Sequence, residues 1–455
     1  MMNKLKIIII ILALTILPAG CLVGPKYAKP EDQNAAHFQN GAANADTLAS
    51  IVNVKWFDLF NDDVLKDLIT KGLENNYDMK IAMARIERTR AELGYSKADL
   101  LPAIGYSATV NSNEKAFMPS NASANLSWEL DFWGKIRHQN RAAQDELLAS
   151  EEGRKVILSN LVSDIAVSYF QLRDFDNRLI ISKNTFESRK KAYEIINQRF
   201  TAGYVSEVDK LQIEQQVAIA EATIPAIQRQ ITQLENIISI LIGQAPGPIP
   251  RGKTNMELEI ANELPVSIPS ILLRNRPDVN QAERLYMAAN ERIGVAQAMR
   301  FPSFNIAALA GFANNEVSSL FDSSSYLQNA SASVAGPIFN FGKNKRRVEI
   351  YRQMAEESKL AYQKTCIVAV AEVEQSLQDV KTYKEELLAR NKQVVAARKN
   401  LELSQARYYN GYVSFLEVLE IERSLFDAEL SLSELTQNQL SSTIQLYRAL
   451  GGGWN

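Results

Sequence analysis

The residues of this chain that could do chemistry are few and widely spread. Two thiols, Cys21 and Cys366, and two imidazoles, His37 and His138, are the whole stock of soft or nucleophilic ligands in 455 residues. That leaves little for His or Cys metal ligation, or for a Ser-His or Cys-His nucleophile. No Gly-rich spacing of the kind that cradles phosphates occurs. Cys21 is the residue with a clear chemical context. Lys4 and Lys6 precede an apolar run, Ile7 to Leu17, too short to span a bilayer, and the box Leu17-Pro18-Ala19-Gly20-Cys21 follows. This is the pattern of a lipoprotein leader. Residues 1–20 would be removed, and Cys21 would become the first mature residue, carrying a covalent lipid. Pro18 stands where such boxes usually have Leu, and the alternative is an ordinary secretory leader with an unrelated Cys. Leu22 follows rather than Asp, so the expected address is the outer membrane. With Cys21 acylated, Cys366 has no partner for an intrachain disulfide.

The other chemistry-bearing residues are charged side chains. Leu416 and Glu420 lie four apart in Phe415-Leu416-Glu417-Val418-Leu419-Glu420-Ile421-Glu422-Arg423, so they share one helix face. On a three-fold axis each would form a ring. The bland alternative is a solvated coiled-coil face. Lys+Arg number 50 and Asp+Glu 52, a net charge of −2, with no basic block of the kind nucleic-acid binding uses.

The elements that position these residues are written twice. Shifted by 200, Asp78, Gly94 and Pro102 fall on Asp278, Gly294 and Pro302. Shifted by 208, Gly134, Gly203 and Gly243 fall on Gly342, Gly411 and Gly451, and Arg199 to Ser206 (RFTAGYVS) overlays Arg407 to Ser414 (RYYNGYVS). The fold is therefore one half-structure used twice, with repeats over 21–260 and 261–455. Between Gly134 and Gly203 lie 68 residues broken by a single Gly153, and between Gly342 and Gly411 another 68 with neither Gly nor Pro. At 1.5 Å per residue each predicts a helix about 100 Å long. Leu158, Ile165, Leu172, Leu179, Phe186, Tyr193 and Phe200 recur every seven residues. Cys366, Val373, Val380, Leu387, Val394, Leu401 and Tyr408 do the same in the second copy. That period implies left-handed coiled-coil packing and makes Cys366 a small seam residue. Each long helix ends at a Gly and reverses into a return arm, so helical hairpins span about 134–243 and 342–450. Pro225 should kink or split the first return arm.

Ahead of each long helix the period switches to two. Tyr106, Ala108 and Val110 alternate with Gly105, Ser107 and Thr109. Ala122, Ala124, Leu126, Trp128 and Leu130 then alternate with Asn121, Ser123, Asn125, Ser127 and Glu129. The second copy repeats this with Phe304, Ile306, Ala308, Ala310 and Phe312, then Ala330, Ala332 and Val334 against Asn329, Ser331 and Ser333. Strands are expected at about 103–113, 121–131, 303–313 and 327–338. Segments of this length, apolar on one face and small or polar on the other, suit a transmembrane β-barrel. The alternative is two surface hairpins on a soluble core. Four strands cannot close a barrel, and open edges are not tolerated in lipid. Copies must therefore combine: two would give eight strands with a filled interior, three would give twelve around a lumen.

At this point the residues resemble a family. Cys21 to Pro30 (CLVGPKYAKP), Leu272 to Phe312 with its Arg276-Pro277-Asp278, Leu126 to Arg137 (LSWELDFWGKIR), Pro337 to Arg347 and Gly451-Gly452-Gly453-Trp454 are similar to stretches of the outer-membrane efflux lipoproteins. These form the NodT or OprM-like branch of the TolC family. The resemblance implies a mixed α and β channel-tunnel, a homotrimer. Its 12-stranded β-barrel, four strands per chain, crosses the outer membrane of a Gram-negative bacterium and continues into a helical coiled-coil barrel in the periplasm. A mixed equatorial belt would draw on the chain before Asp78, on Gly243 to Pro269 and on the C-terminus. The channel would be the passive exit duct of a tripartite multidrug efflux pump. It would meet a periplasmic adaptor and an inner-membrane resistance-nodulation-division pump, with no catalysis and no cofactor beyond the lipid on Cys21.

By the same resemblance Leu416 supplies an apolar gate ring, Glu420 an acidic ring where the family usually has Asp, and Arg423 a bond that holds the aperture shut. Asp209 is the candidate partner on a neighbouring arm. The tips Gly203-Tyr204-Val205-Ser206 and Gly411-Tyr412-Val413-Ser414 are expected to dock the adaptor. Turn geometry accounts for the glycines but not for exposed Tyr and Val. Two rivals stand beside this reading: an exit duct for type I protein secretion, and a pore-less, lipid-anchored coiled-coil spacer. No Met or His ring suggests copper or silver as cargo.

Overall fold

The glycines that punctuate the sequence fall at element ends in the computed structural model, which describes residues 22–30, 61–111, 119–258 and 275–452. Leader residues 1–20, Cys21 and the repeat boundary at 260/261 lie outside the described residues. In chain order the elements are α1 (Asp63–Asn75), α2 (Tyr77–Ala98), β1 (Ala103–Thr109), β2 (Ser120–Leu130), α3 (Lys135–Thr201), α4 (Glu207–Leu241), α5 (Pro277–Ala298), β3 (Ser303–Asn314), β4 (Tyr326–Ala335), α6 (Lys343–Tyr409) and α7 (Phe415–Ala449). Two short 3-10 turns, Val317–Ser319 and Ser323–Ser325, link β3 to β4. Among the described residues no helix is long and apolar enough to cross a membrane.

The duplication is exact in the lengths of the hairpin helices. α3 and α6 each have 67 residues, and α4 and α7 each have 35. Every member of both seven-residue seams is at least half-buried, and Ile165, Leu172 and Val373 are fully so. Cys366 is buried among them, as a seam residue should be. Pro225 lies inside α4 without splitting it. Of the two expected outcomes, a kink or a split, the split does not occur. A proline removes one backbone donor and crowds one carbonyl. Long runs of helix on both sides, pinned by buried Ala220 and Ile227, hold the arm continuous across it.

Two compact units form, and neither is a sequence repeat. One gathers residues 22–30, 83–111, 119–153 and 278–365; the other gathers 61–82, 154–258, 275–277 and 366–452. The first contains a four-stranded antiparallel sheet in the order β1-β2-β3-β4. Its register sets Ile104, Leu126, Ala308 and Ala330 side by side, and likewise Trp128, Ile306 and Ala332. Even positions of all four strands therefore share one face, because side chains alternate along a strand. Ser107, Ser123, Asn125, Ser127, Asn329 and Ser331 fall on the other. This is the alternation expected from the sequence, and β4 is exposed along its whole length. Gly311 is required where β3 meets β2, since a Cβ there would run into the Ala122 carbonyl and the Ser123 backbone.

The second unit carries the main core. Leu65, Leu68 and Ile69 of α1 pack against Ile165, Tyr169, Phe170 and Leu172 of α3, with Ile238 of α4, Val373 of α6 and Ile444 of α7. Asp62 caps α1 through the amides of Val64 and Leu65. It also accepts from the Tyr169 hydroxyl at 3.0 Å and the Lys253 amide at 2.9 Å. Burial, foremost, and the Asp62 carboxylate push the Tyr169 hydroxyl's pKa up. Arg276 donates to the Ala449 carbonyl at 3.0 Å and to Glu372 at 2.7 Å. Segments before Tyr77, after Gly243 and at the C-terminal end thus meet in one core.

Candidate functional site at the hairpin turns

Both hairpins turn through the same backbone device. At the first, the Gly203 amide donates to the Phe200 carbonyl and the Tyr204 amide to the Arg199 carbonyl. At the second, Gly411 donates to Tyr408 and Tyr412 to Arg407. These paired bonds are the Schellman closure of a helix, and they need a left-handed residue at the glycine. Gly203 has φ +78° and Gly411 φ +77°. Ser206 and Ser414 then cap the return helices in extended conformation. The shared Gly-Tyr-Val-Ser signature is therefore mostly turn chemistry.

What the turn leaves over is Tyr204 and Tyr412, 82 % and 77 % exposed. The valines, read from the sequence as exposed, are half-buried, and this corrects that expectation. Val205 packs on a cluster of Ile196, Ile213 and Leu419, so a structural reason for it exists. Of the large apolar or aromatic side chains in the two tips, the tyrosines are the exposed ones.

The two turns diverge in the first helical turns that follow. In the first hairpin the Asp209 carboxylate accepts from the Ser206 amide at 3.1 Å and the Ser206 hydroxyl at 2.8 Å, and the Asp209 amide donates back to Ser206 Oγ at 3.2 Å. Asp209 is thus engaged in a capping box within its own helix. In the second hairpin the Glu417 amide donates to Ser414 Oγ at 3.4 Å, with no reciprocal bond, and Glu417 lies 3.7 Å from Arg407. Leu416 is 56 % exposed. Arg423 Nη2 donates to Glu420 Oε1 at 2.6 Å on the open face of the helix. That hydrogen bond, foremost, raises the Arg423 pKa further. The structure brings Glu420 and Arg423 together, one turn beyond Leu416 on the same helix.

Behind that face lies a group of buried charges that the sequence reading did not single out. Arg189 of α3 is 1 % exposed. Its guanidinium sits 5.3 Å from the Phe426 ring centroid and donates to the Gln216 carbonyl at 3.0 Å. Burial lowers its pKa, opposed by the charges of Glu422 and Asp427. Burial likewise pushes the Glu422 carboxyl up, opposed by Arg189 and a hydrogen bond to Ser188. Farther along, buried Asp174 accepts from Ser433 Oγ at 2.5 Å and pairs with Arg178 at 2.8 Å. Burial raises the Asp174 carboxyl too, against the pull of Arg178. A groove of about 380 Å³ runs past Asn177, Ser188, Arg398, Glu422 and Phe426. A spacing signal for Arg189 existed. Ser182, Arg189 and Ile196 are seven apart, and all three are buried.

Among the described residues no group of three or more His, Cys, Asp or Glu side chains is placed to hold a metal ion. His138, the described imidazole, meets Glu291 at 2.5 Å beside Gly24 and Gly294, in a packed and buried position.

With this geometry in place, the comparisons are direct. The family model of the outer membrane efflux proteins matches residues 68–244 and 268–452. The "Cation efflux system protein CusC" of Escherichia coli (strain K12) is 31% identical over 463 residues, 99% of each chain. The "Solvent efflux pump outer membrane protein SrpC" of Pseudomonas putida is 30% identical over 457 residues, 96% of each. Among solved structures, CusC superposes with a TM-score of 0.83 at 28% identity, covering 95% of this chain and 100% of that one. The open state of the Neisseria gonorrhoeae MtrE outer membrane channel gives 0.86 at 26%, covering 96% and 99%. Two arms, four strands and a duplicated hairpin, matched from end to end, leave one assignment: the chain belongs to the outer membrane efflux protein family, whose members are outer-membrane channels.

Proposed function

We propose that this chain is the passive outer-membrane duct of a tripartite efflux pump, closed at rest by its second hairpin. Three copies would join their four-stranded sheets into a twelve-stranded barrel, because an unpaired strand edge is not tolerated in lipid. Exposed β4 supports that reading, since it is the edge a neighbouring β1 would cover. The chain would be anchored by a lipid on Cys21 and built of structural repeats over 21–260 and 261–455. It would catalyse no reaction and carry no other cofactor. A periplasmic adaptor would meet the tips Gly203-Tyr204-Val205-Ser206 and Gly411-Tyr412-Val413-Ser414, with Tyr204 and Tyr412 as the main contacts. An inner-membrane pump of the resistance-nodulation-division type would supply the energy.

The observation that carries the gate is the exposed set on the second return helix. Leu416, Glu420 and Arg423 stand on the exposed side of a helix that buries Val418, Leu419, Leu425 and Phe426. Repeated three times about an axis, Leu416 makes an apolar constriction and Glu420 an acidic ring. Arg423 moderates the mutual repulsion of the carboxylates. Asp209 serves as the acceptor on a neighbouring arm only by giving up part of its capping box. A ring of carboxylates draws cations, so the duct at rest is cation-selective. Reversal potentials in a salt gradient across a planar bilayer test this. The parent channel should favour cations and Glu420→Gln should lose most of that preference; identical selectivity in both would refute the ring.

The cargo is set elsewhere. Relatives carry the names of cation, solvent and antibiotic efflux systems on one fold. A duct that serves all three chemistries does little selecting. These names favour efflux over the type I secretion duct, and family membership replaces the pore-less spacer with a channel.

A further inference from the structure

The duplication supplies an internal control for the two places where a strand hands over to a long helix. At the first junction Lys135 and Arg137 each have an internal partner. Lys135 pairs with Glu129 at 2.6 Å. Asp131 takes the amides of Ile136 and Arg137 at 2.9 Å each and the Arg137 Nε at 3.0 Å. The surface is covered as well. The mature N-terminal strap runs over it, with the Val23 amide on the Trp133 carbonyl and Leu22 pressed on Gly134. Trp133 itself stacks on Phe301 at 4.6 Å and donates to the Pro302 carbonyl at 2.8 Å.

At the second junction the same offset that maps Gly134 onto Gly342 puts Pro337 in place of Glu129 and Phe339 in place of Asp131. Both carboxylates are gone, and the cations are not. Lys343 and Lys345 replace Lys135 and Arg137, while Arg346 and Arg347 add two more. Arg346 pairs with Glu349 at 2.7 Å, and Arg347 reaches Met299 Sδ at 3.6 Å. Lys343 and Lys345 form no ion pair among the described residues and stand in the open. Among the described residues of the chain nothing covers the turn: a Cβ on Gly342 would meet no atom within 4 Å. Phe339 and Phe341 pack only edge to face with each other, at 4.6 Å. They are 76 % and 91 % exposed, and Ile338 beside them is fully so.

An exposed aromatic pair next to unpaired cations, following directly on a barrel strand, has the chemistry of a membrane interface. Aromatic rings favour the headgroup level, and basic side chains there meet lipid phosphates. We propose that Ile338–Arg347 is a seat for anionic phospholipid of the periplasmic leaflet. Phe339 and Phe341 lie at the acyl boundary, and Lys343, Lys345, Arg346 and Arg347 bind the phosphates. The occupant is lipid for two reasons. The patch is continuous with β4, the exposed strand of a sheet built for the outer membrane, and its net charge is complementary to an anionic headgroup. The inference rests on the strands lying in that membrane. The first junction needs no such lipid, because Glu129, Asp131 and the strap already satisfy it.

The test uses the full chain purified in detergent, titrated with phosphatidylglycerol or phosphatidylcholine and read by native mass spectrometry. The parent should retain phosphatidylglycerol roughly tenfold better than phosphatidylcholine, as a cluster of basic groups at a lipid surface provides. The variant carrying Lys343→Gln, Lys345→Gln, Arg346→Gln and Arg347→Gln should lose that preference, while Lys135→Gln keeps it. Equal retention by parent and fourfold variant overturns the proposal. A photo-cross-linking amino acid at position 341 in proteoliposomes decides the occupant. A mass increase of one phospholipid supports the seat; a cross-link to a second copy of the chain, or none to lipid, overturns it. Unchanged single-channel conductance in the fourfold variant would keep the channel reading intact whichever way the lipid result falls.

Discussion

The two hairpin turns share a backbone and differ in what they display. Gly203 and Gly411 sit in the same left-handed conformation, and the same pair of amide bonds closes each helix. The offset of 208 then sets Val208 against Leu416, Gln212 against Glu420 and Gln215 against Arg423. The first hairpin is neutral where the second carries an acid and a base. Asp209 is drawn into a capping box, while Glu417 is not. Shared geometry at equivalent places therefore reports the needs of a turn, and the exposed face on which the copies diverge is where the proposed gate lies. The buried charges follow the same asymmetry. Arg189 corresponds to Ala397, and half-buried Glu422 corresponds to exposed Glu214.

The largest effect should come from that buried asymmetry. Arg189→Met removes the bond to the Gln216 carbonyl and a positive charge that acts on half-buried Glu422, and leaving a buried acceptor unsatisfied costs about 1–3 kcal/mol. The thermal midpoint in detergent should fall steeply, whereas Ala397→Met in the other copy should cost far less. Glu422→Gln should act in the opposite sense. A carboxyl whose folded pKa lies above its unfolded one favours the folded state when protonated. Its contribution is complete below the ordinary carboxylate range and is lost as pH rises through the raised value. The variant should therefore flatten the decline of stability over that window and gain on the parent at neutral pH. A parallel pair of melting curves from pH 4 to 8 would contradict this.

The turns themselves should respond equally. Gly203→Ala and Gly411→Ala each force a side chain into left-handed backbone, at about 1–2 kcal/mol. A large difference between them would show that one turn is held by something beyond its own backbone. The smallest effects separate the caps. Asp209→Ala removes a capping box and should cost about 1 kcal/mol. Glu417→Ala removes no reciprocal bond and should shift the midpoint by only a few tenths of that.

Much of this architecture was legible in the sequence, for physical reasons that differ by element. Strand and helix ends agreed to within a few residues because Gly134, Gly203, Gly342 and Gly411 each take a positive φ that only a turn requires. The seams were legible because a seven-residue apolar period has one packing solution. The even-numbered sheet face was legible because alternation has period two. The split that Pro225 suggested does not occur, because the loss of one donor was overridden by helix packed on either side. The valines of the tips misled too, since Val205 folds back on Ile196 and Ile213. Arg189, Glu422 and Asp174 were missed because a search for apolar periodicity passes over charged side chains at seam spacing. The bare second junction shows only when Phe339 is set against Asp131 and their surroundings are compared.

The gate remains the claim on which the rest depends, and the repeat offers its own control. Single-channel conductance of the purified protein in a planar bilayer should be measured for the parent, for Glu420→Ala and for Gln212→Ala at the matching place in the first hairpin. The expected result is a small conductance in the parent and in Gln212→Ala, and a several-fold larger one in Glu420→Ala. Equal conductance in all three, from correctly assembled and inserted protein, would contradict a gate at the second hairpin.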